Sequence, residues 1–481
     1  MESSDLSSSS TFSLSAHPNP NPNPNPRKPP PKRFVRSQIP PSILSDPALN
    51  AAISLLPSNY DFEIHKTIHR LRSSSARRVA LQLPEGLLMY SLPIADILRK
   101  FSDPSADFLV LADPTYGACC LADSSAAALS ADLLVHYGHS CLVPVTSSLL
   151  PVLYVFVDIR VDADRLVNSI CAAFPDPSTA PRLALAGTIQ FVSAVHAAAS
   201  VLRLHGYKDV LIPQAKPLSA GEVLGCTAPT IPKSEGVETV VFVADGRFHL
   251  EAFMIANPSV RALRYDPFLG VLVLEGYDHK GMKRARKDAI LAARKATNWG
   301  VILGTLGRQG STKVLDRVVE HMEEKVMDYT VVLMSEISPA RMELFGDSVD
   351  AWVQIACPRL SIDWGEGFKK PMLTTFEFDI ALGYIPSWWD KGRPAESVKR
   401  SSICECGAEK DEKSCSDLAG CRSGSCSRNC ANGDAEANYP MDYYAQDGGD
   451  WNSSYMKKKS SAGERKGQNR FGGSVQVEAP P

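Results

Sequence analysis

The sequence has no long apolar run. The longest, Leu149–Val157, falls far short of the ~18 residues needed to cross a bilayer, which excludes a helical membrane protein. It has no excess of either charge. The 51 Lys and Arg stand against 53 Asp and Glu, and a net charge of −2 excludes a general polyanion binder. The start lacks the apolar core of a secretory signal, since Glu2 and Asp5 stand among serines. Arg is absent before Arg27, which disfavours an organellar leader as well. The expected setting is therefore intracellular and cytoplasmic, where thiols stay reduced, so the 12 cysteines are not read as a disulfide framework. Nor is there any Cys-x2-Cys pair, the usual mark of a zinc site.

What is present is a globular balance, 44% hydrophobic and 22% charged, in 481 residues, enough for two to four domains. Residues 1–45 read as a disordered tail. Ten prolines fall between Pro18 and Pro41, a composition that cannot bury enough apolar surface to offset its ordering entropy. The basic patch Arg27, Lys28, Lys32, Arg33 and Arg36 reads as a solvated linker, with a docking arm or nuclear signal as the alternative.

From Leu55 the pattern changes to short Val/Leu/Ile runs separated by Ala-rich helical stretches. The expected strands are Val79–Leu83, Phe108–Leu111, Leu133–His136 and Leu153–Val157, then Leu183–Gly187, Val210–Ile212, Val240–Val243 and Ala262–Tyr265, then Gly300–Leu303, Val331–Met334 and Ala351–Ile355. Continuous apolar strands with helices between them indicate mainly parallel sheets covered on both faces. The expected fold is α/β, in three similar units: 46–177, 178–290 and 291–390. Expected helices include Ser91–Phe101, Ser193–Leu204 and Thr312–Met327, the last with Val314, Leu315, Val318, Val319, Met322 and Val326 as its core stripe. Lys280–Lys295, carrying Lys283, Arg284, Arg286, Lys287 and Arg294, reads as a helix with a solvated basic face. Residues 391–481 read as a mostly disordered Cys-rich tail.

The cysteines form two populations. Six, Cys404 to Cys430, lie in the polar tail. In the α/β part, Cys141 and Cys171 read as packing residues. Cys119 (with Cys120), Cys226 and Cys357 fall on Gly- or Pro-marked turns after expected strands, one per unit, where open α/β sheets bind ligands. Three thiolates converging on one centre would suit an iron–sulfur cluster with one iron left open. Spacing alone leaves three unrelated turn cysteines as the alternative.

Several motifs carry a resemblance: Leu81-Gln-Leu-Pro-Glu-Gly-Leu-Leu88, Val135-His-Tyr-Gly-His-Ser-Cys141, Pro213-Gln-Ala-Lys-Pro-Leu-Ser219, Asp245-Gly-Arg-Phe-His249, Leu303-Gly-Thr-Leu-Gly-Arg-Gln-Gly-Ser311 and Cys357-Pro-Arg-Leu-Ser-Ile-Asp-Trp364. In their order, from about Gln38 to Phe378, the chain resembles the diphthamide-synthesis family. The resemblance implies three related α/β domains around a [4Fe–4S] cluster held by Cys119, Cys226 and Cys357, with Cys119 favoured over Cys120 because the family ligand follows Gly-Ala. It implies an enzyme of the unconventional radical class, consistent with the absence of a Cys-x3-Cys-x2-Cys run. Such an enzyme transfers a 3-amino-3-carboxypropyl group from S-adenosylmethionine to C2 of a histidine in translation elongation factor 2, leaving 5′-methylthioadenosine. The implied partners are that acceptor, a homologous subunit 2 in a heterodimer, and a small iron-binding electron donor. A non-catalytic scaffold or zinc subunit presenting the acceptor protein is the alternative.

Around the cysteines, Gly304, Arg308, Gln309 and Gly310 form a Gly-rich loop able to receive the methionine carboxylate, or else a structural turn. Arg359 and Asp363 either pair with each other or contact S-adenosylmethionine. His136 and His139 read as hydrogen-bonded structural residues. Tyr439-Pro-Met-Asp-Tyr-Tyr-Ala445 resembles a family motif and is expected to dock on the core through its aromatics.

Overall fold

Strands such as Leu183-Ala-Leu-Ala-Gly187 and Thr239-Val-Val-Phe-Val243 are buried at every position, because helices cover both faces of the sheets they enter. The computed structural model describes residues 39–389 and 439–455. The tail cysteines Cys404 to Cys430 and the patch Arg27–Arg36 lie outside them. No helix among the described residues is long and apolar enough to cross a membrane.

Three four-stranded sheets follow one another along the chain. The first holds β1 (Arg78–Gln82), β2 (Asp107–Leu111), β3 (Leu133–Tyr137) and β4 (Val152–Val155), all parallel in the order β2-β1-β3-β4. The second holds β5 (Leu183–Gly187), β6 (Thr239–Val243), β7 (Arg261–Asp266) and β8 (Val271–Glu275), with β8 antiparallel at one edge. The third holds β9 (Asn298–Gly304), β10 (Asp328–Met334), β11 (Ala351–Ile355) and β12 (Met372–Leu373), parallel in the order β10-β9-β11-β12.

The first and third sheets thus share one strand order, and the second nearly does. The expected strand Val210–Ile212 is reduced to a single parallel bridge, Leu211 to Ala184 on the free side of β5. Pro213, which has no N–H, ends the pairing there. With that bridge counted as the second strand, the order of the first sheet recurs. In such sheets the crevice lies outside the carboxyl ends, where the first strand's two neighbours diverge.

Other expectations need correction. Thr312–Glu324 is shorter than expected, and Val326 lies beyond it, 93% exposed, while Val314, Val318 and Met322 are buried. In the basic helix His279–Ala293, Arg286 is fully buried rather than solvated. It forms a bidentate pair with Glu377, both bonds 2.7 Å, and donates to the Met372 carbonyl. Cys141 is exposed, whereas Cys171 is half-buried against the core of the second sheet.

The largest core cluster joins the second and third sheets and includes Ala118, Cys226, Phe253, Trp299, Tyr443 and Tyr444. The segment 439–455 contributes to it. Ala228 N–H donates to the Met441 carbonyl (2.8 Å), and Tyr443 N–H to the Cys226 carbonyl (3.3 Å). Tyr439 donates to Glu377 (2.8 Å), so this segment reaches the elements around both sheets.

Candidate metal centre

Each of the three cysteines follows a strand's carboxyl end. Cys119 sits in the single 3-10 turn Ala118–Cys120, downstream of β2. Cys226 occupies a tight turn in which Leu224 and Thr227 exchange backbone hydrogen bonds of 2.9 and 3.3 Å. Cys357 follows β11 directly and precedes Pro358, which begins the helix Pro358–Trp364 with its φ preset. The positions are not equivalent: Cys357 follows the third strand of its sheet, whereas Cys119 and Cys226 follow the second strand or its vestige.

The thiols sense one another. Cys119 is held well above the usual thiol range by its bond to Cys120, by burial, and by the nearby Cys226 and Cys357. Burial, with Cys357 adding to it, pushes Cys226 up to about 12, and burial pushes Cys357 up to about 11. The bond from Cys119 draws Cys120 down to about 7. Among the described residues no three His, Cys, Asp or Glu side chains already stand at metal-ligand geometry. The donor set nevertheless fits a soft, multivalent iron–sulfur group: crowded, desolvated thiols resist ionisation one by one, and a cationic centre relieves that cost collectively.

The flanking residues are engaged with protein. Arg308 forms a bidentate pair with the buried Asp123 (2.7 and 2.5 Å), and its N–H donates to the Cys119 carbonyl (2.8 Å). Burial raises the Asp123 carboxyl, but the bonds from Arg308 and Leu149 N–H outweigh it and leave the group below the usual range. The loop spends its amides internally: Thr305 on Met334, Gln309 on Leu306 and Gly310 on Gly304. Gly307 has φ +58°, and a Cβ there would meet the Cys120 carbonyl, so only glycine lets the two loops touch. Gln309 is buried and donates to Cys120 Sγ (3.4 Å). At Gly304, a Cβ would lie 2.7 Å from that of Ala356, beside Cys357.

Arg359 and Asp363 do pair, at 2.8 Å. Arg359 also binds Glu251 (2.6 Å) and the carbonyls of Phe248 (2.7 Å) and Gly225 (3.3 Å), so its guanidinium ties the Cys226 turn to the Cys357 helix. Arg308→Ala is expected to cost about 2 kcal/mol, because it strips a charged hydrogen-bond pair from buried Asp123. Urea unfolding of the variant against wild type measures it, and an unchanged midpoint removes the clamp.

His136 donates from Nδ1 to Gln82 (2.8 Å), and His139 lies 3.2 Å from His136. Burial, with His249 adding to it, takes His139 from 6.5 down to about 4, and burial, with Arg359 adding to it, does the same to His249. These folded values are depressed, so the unfolded chain binds protons first as pH falls. Stability is therefore expected to be intact above pH 6.5 and lost toward pH 4, by at most about 1.4 kcal/mol per pH unit for each histidine. Urea midpoints taken at stepped pH test it, and His139→Gln should flatten the slope.

Asp123, Glu251, His249, Tyr444 and Tyr455 escape the sequence reading as site residues. Tyr444 donates to the Gln309 carbonyl (3.2 Å) and Tyr455 to that of Arg308. Of these, His249 and Tyr444 lie within motifs named above, in Asp245–His249 and Tyr439–Ala445.

The family model of diphthamide synthesis proteins matches residues 83–393. The chain is 52% identical over 375 residues to the human 2-(3-amino-3-carboxypropyl)histidine synthase subunit 1, covering 78% of this chain and 83% of that protein. The Schizosaccharomyces pombe protein of the same name is 49% identical over 374 residues, covering 77% and 84%. The crystal structure of Dph2 from Pyrococcus horikoshii with a 4Fe-4S cluster aligns with a TM-score of 0.57 and 25% identity, over 68% of this chain and 92% of that one.

Proposed function

The chain belongs to the diphthamide synthesis family, and from that premise we propose that it is the cluster-bearing subunit of a transferase. The proposed reaction moves the 3-amino-3-carboxypropyl group of S-adenosylmethionine to C2 of a histidine imidazole in translation elongation factor 2. One observation carries the reading: three thiols on loops of three different sheets lie near enough to act on one another, since Cys226 and Cys357 both raise Cys119.

In this reading Cys119, Cys226 and Cys357 hold a [4Fe–4S] cluster, and the sheets with their helices act as three related units. When bound, such a cluster supplies an iron without a protein ligand and the electron that breaks a carbon–sulfur bond of the sulfonium. The protein's own residues position and shield. Arg308 with Asp123 fixes the Cys119 turn, and Arg359 with Glu251 and Asp363 fixes those of Cys226 and Cys357. Because both guanidiniums are occupied, Arg308, Gln309, Arg359 and Asp363 serve as positioning residues, and Gly304 and Gly310 permit the close loop packing. Tyr444, fully buried, walls the thiols from water.

The relatives' designation as subunit 1 supports a second subunit as partner, proposed to be homologous, and the electron is proposed to come from a small iron-binding protein. The test is anaerobic reconstitution followed by reduction with S-adenosylmethionine and elongation factor 2 present. About four irons per chain are expected, with release of 5′-methylthioadenosine and modified histidine. Stoichiometric zinc without labile sulfide, or 5′-deoxyadenosine as main product, overturns the reading.

A further inference from the structure

Buried His136 and the partly exposed His139 form a directional chain beside the cysteine loops, whose direction is set at Gln82. Its side-chain Nε2 donates to the Cys120 carbonyl (2.8 Å) and to Thr115 Oγ1 (3.1 Å), whose hydroxyl is itself spent on the Asp113 carbonyl (3.0 Å). Its Oε1 accepts from Ala122 N–H (3.0 Å). A carbonyl at one end and an amide N–H at the other leave the Gln82 amide a single orientation. Oε1 therefore accepts a hydrogen bond from His136 Nδ1–H, 2.8 Å away, and a neutral His136 then has only a lone pair on Nε2. His139 Nδ1, 3.2 Å from that lone pair, must be the donor.

His139 is only partly exposed, and burial together with His249 outweighs a bond to the Tyr137 carbonyl and keeps it neutral near pH 7. Its Nε2 thus carries a lone pair that no donor among the described residues meets. The loop carrying it is placed tightly. Gly138 adopts φ +78° where a Cβ would come 2.8 Å from Pro84, and its carbonyl accepts from Gln190, which follows the first strand of the second sheet (2.6 Å). His139 consequently stands where the ends of the first and second sheets meet, with His249 and then Arg359 as its neighbours.

We propose that Gln82 and His136 lock His139 as the Nδ1–H tautomer, so that its Nε2 accepts a hydrogen bond from a neutral N–H of the reacting ligands. A neutral donor is indicated because the charge acting on this pair of histidines is the Arg359 guanidinium, which lowers His249 and would oppose a ligand cation. Two sources share that chemistry, the amine of the adenine base and the ring N–H of the target imidazole. His139 is then a binding residue, whereas Gln82 and His136 position it. The inference rests on the proposed transferase reading for the identity of its ligands, but not for the tautomer.

Two measurements on the full-length protein test it. Nitrogen-15 spectra of histidine-labelled protein, with His139 assigned by its loss in His139→Ala, should show its proton on Nδ1. A proton on Nε2 overturns the proposal. Equilibrium binding of S-adenosylmethionine and of elongation factor 2 is then compared for wild type, His139→Ala and His139→Gln. The alanine variant should weaken one of the two by about three- to tenfold, S-adenosylmethionine if adenine is the donor and the acceptor protein if the imidazole is. Glutamine, whose Oε1 reaches the place of Nε2, should restore part of the loss. Unchanged affinity for both, or loss of iron as the sole effect, overturns the proposal. A wild-type protein that binds neither ligand sinks the transferase reading instead, while the tautomer spectrum still reports on His139.

Discussion

Cys357→Ala is expected to abolish histidine modification and to drop iron content far below that of the wild-type protein. On the proposed assignment each sheet supplies one thiolate, and two thiolates hold a four-iron cubane poorly. Cys119→Ala and Cys226→Ala should behave alike despite their different loops. Cys120→Ala should be milder, although Cys120 lies close enough to influence Cys357. Cys171→Ala, half-buried against the second sheet's core and away from the centre, is the control that should leave both quantities unchanged. Iron and labile sulfide per chain, with elongation-factor modification by the complex, are the measurements. Full activity in Cys357→Ala would remove it from the ligand set.

The largest expected loss of stability lies elsewhere. Arg286→Met should cost about 3–5 kcal/mol, because it leaves Glu377 charged, buried and without its bidentate partner. Glu377 also accepts from Thr374 N–H (2.9 Å) and Tyr439 Oη (2.8 Å), so the damage reaches the docked segment 439–455. Adding Glu377→Gln to Arg286→Met should recover part of the loss by removing the stranded charge. Denaturant unfolding of the four proteins of this cycle gives the coupling directly. A single-variant loss under about 1 kcal/mol, the range of exposed ion pairs, contradicts the burial argument.

That pair also marks where reading residues in order reaches its limit. Arg286 lies in a run of lysines and arginines that looks like a solvated face, and its partner is brought to it only by folding of the third sheet. The parallel strands were easier to find, because burial on both faces writes an uninterrupted apolar run such as Ala351-Trp-Val-Gln-Ile355. Strand β8 was missed for the converse reason. It is an edge strand with Val271, Val273 and Leu274 exposed, so burial imposes no continuous pattern there. Of the candidate site, the turn positions of the cysteines could be read from glycine and proline, and the motifs singled out the same three residues. The local Arg359–Asp363 pair was one of two alternatives, but the bridges from Arg308 to Asp123 and from Arg359 to Glu251 could not be read, since Asp123 and Glu251 come from distant helices. The Gly-rich motif suggested Arg308 open to a carboxylate from a ligand, whereas its guanidinium pairs with the chain's own Asp123.

The inequivalent placement of the three thiols has a consequence for biosynthesis. The order of translation is fixed: Cys119 emerges from the ribosome first, Cys357 last, and the aromatic cover around Tyr444 later still. At about 5–20 residues per second, the earliest thiol waits on the order of tens of seconds for its partners. On the proposed assignment, a half-made chain throughout that interval displays only one or two of the three ligand thiols, too few to retain a cluster. Iron delivery on that assignment would be deferred until the polypeptide is nearly complete, and an oxidant present during synthesis would strike before the finished protein could shelter its sulfurs.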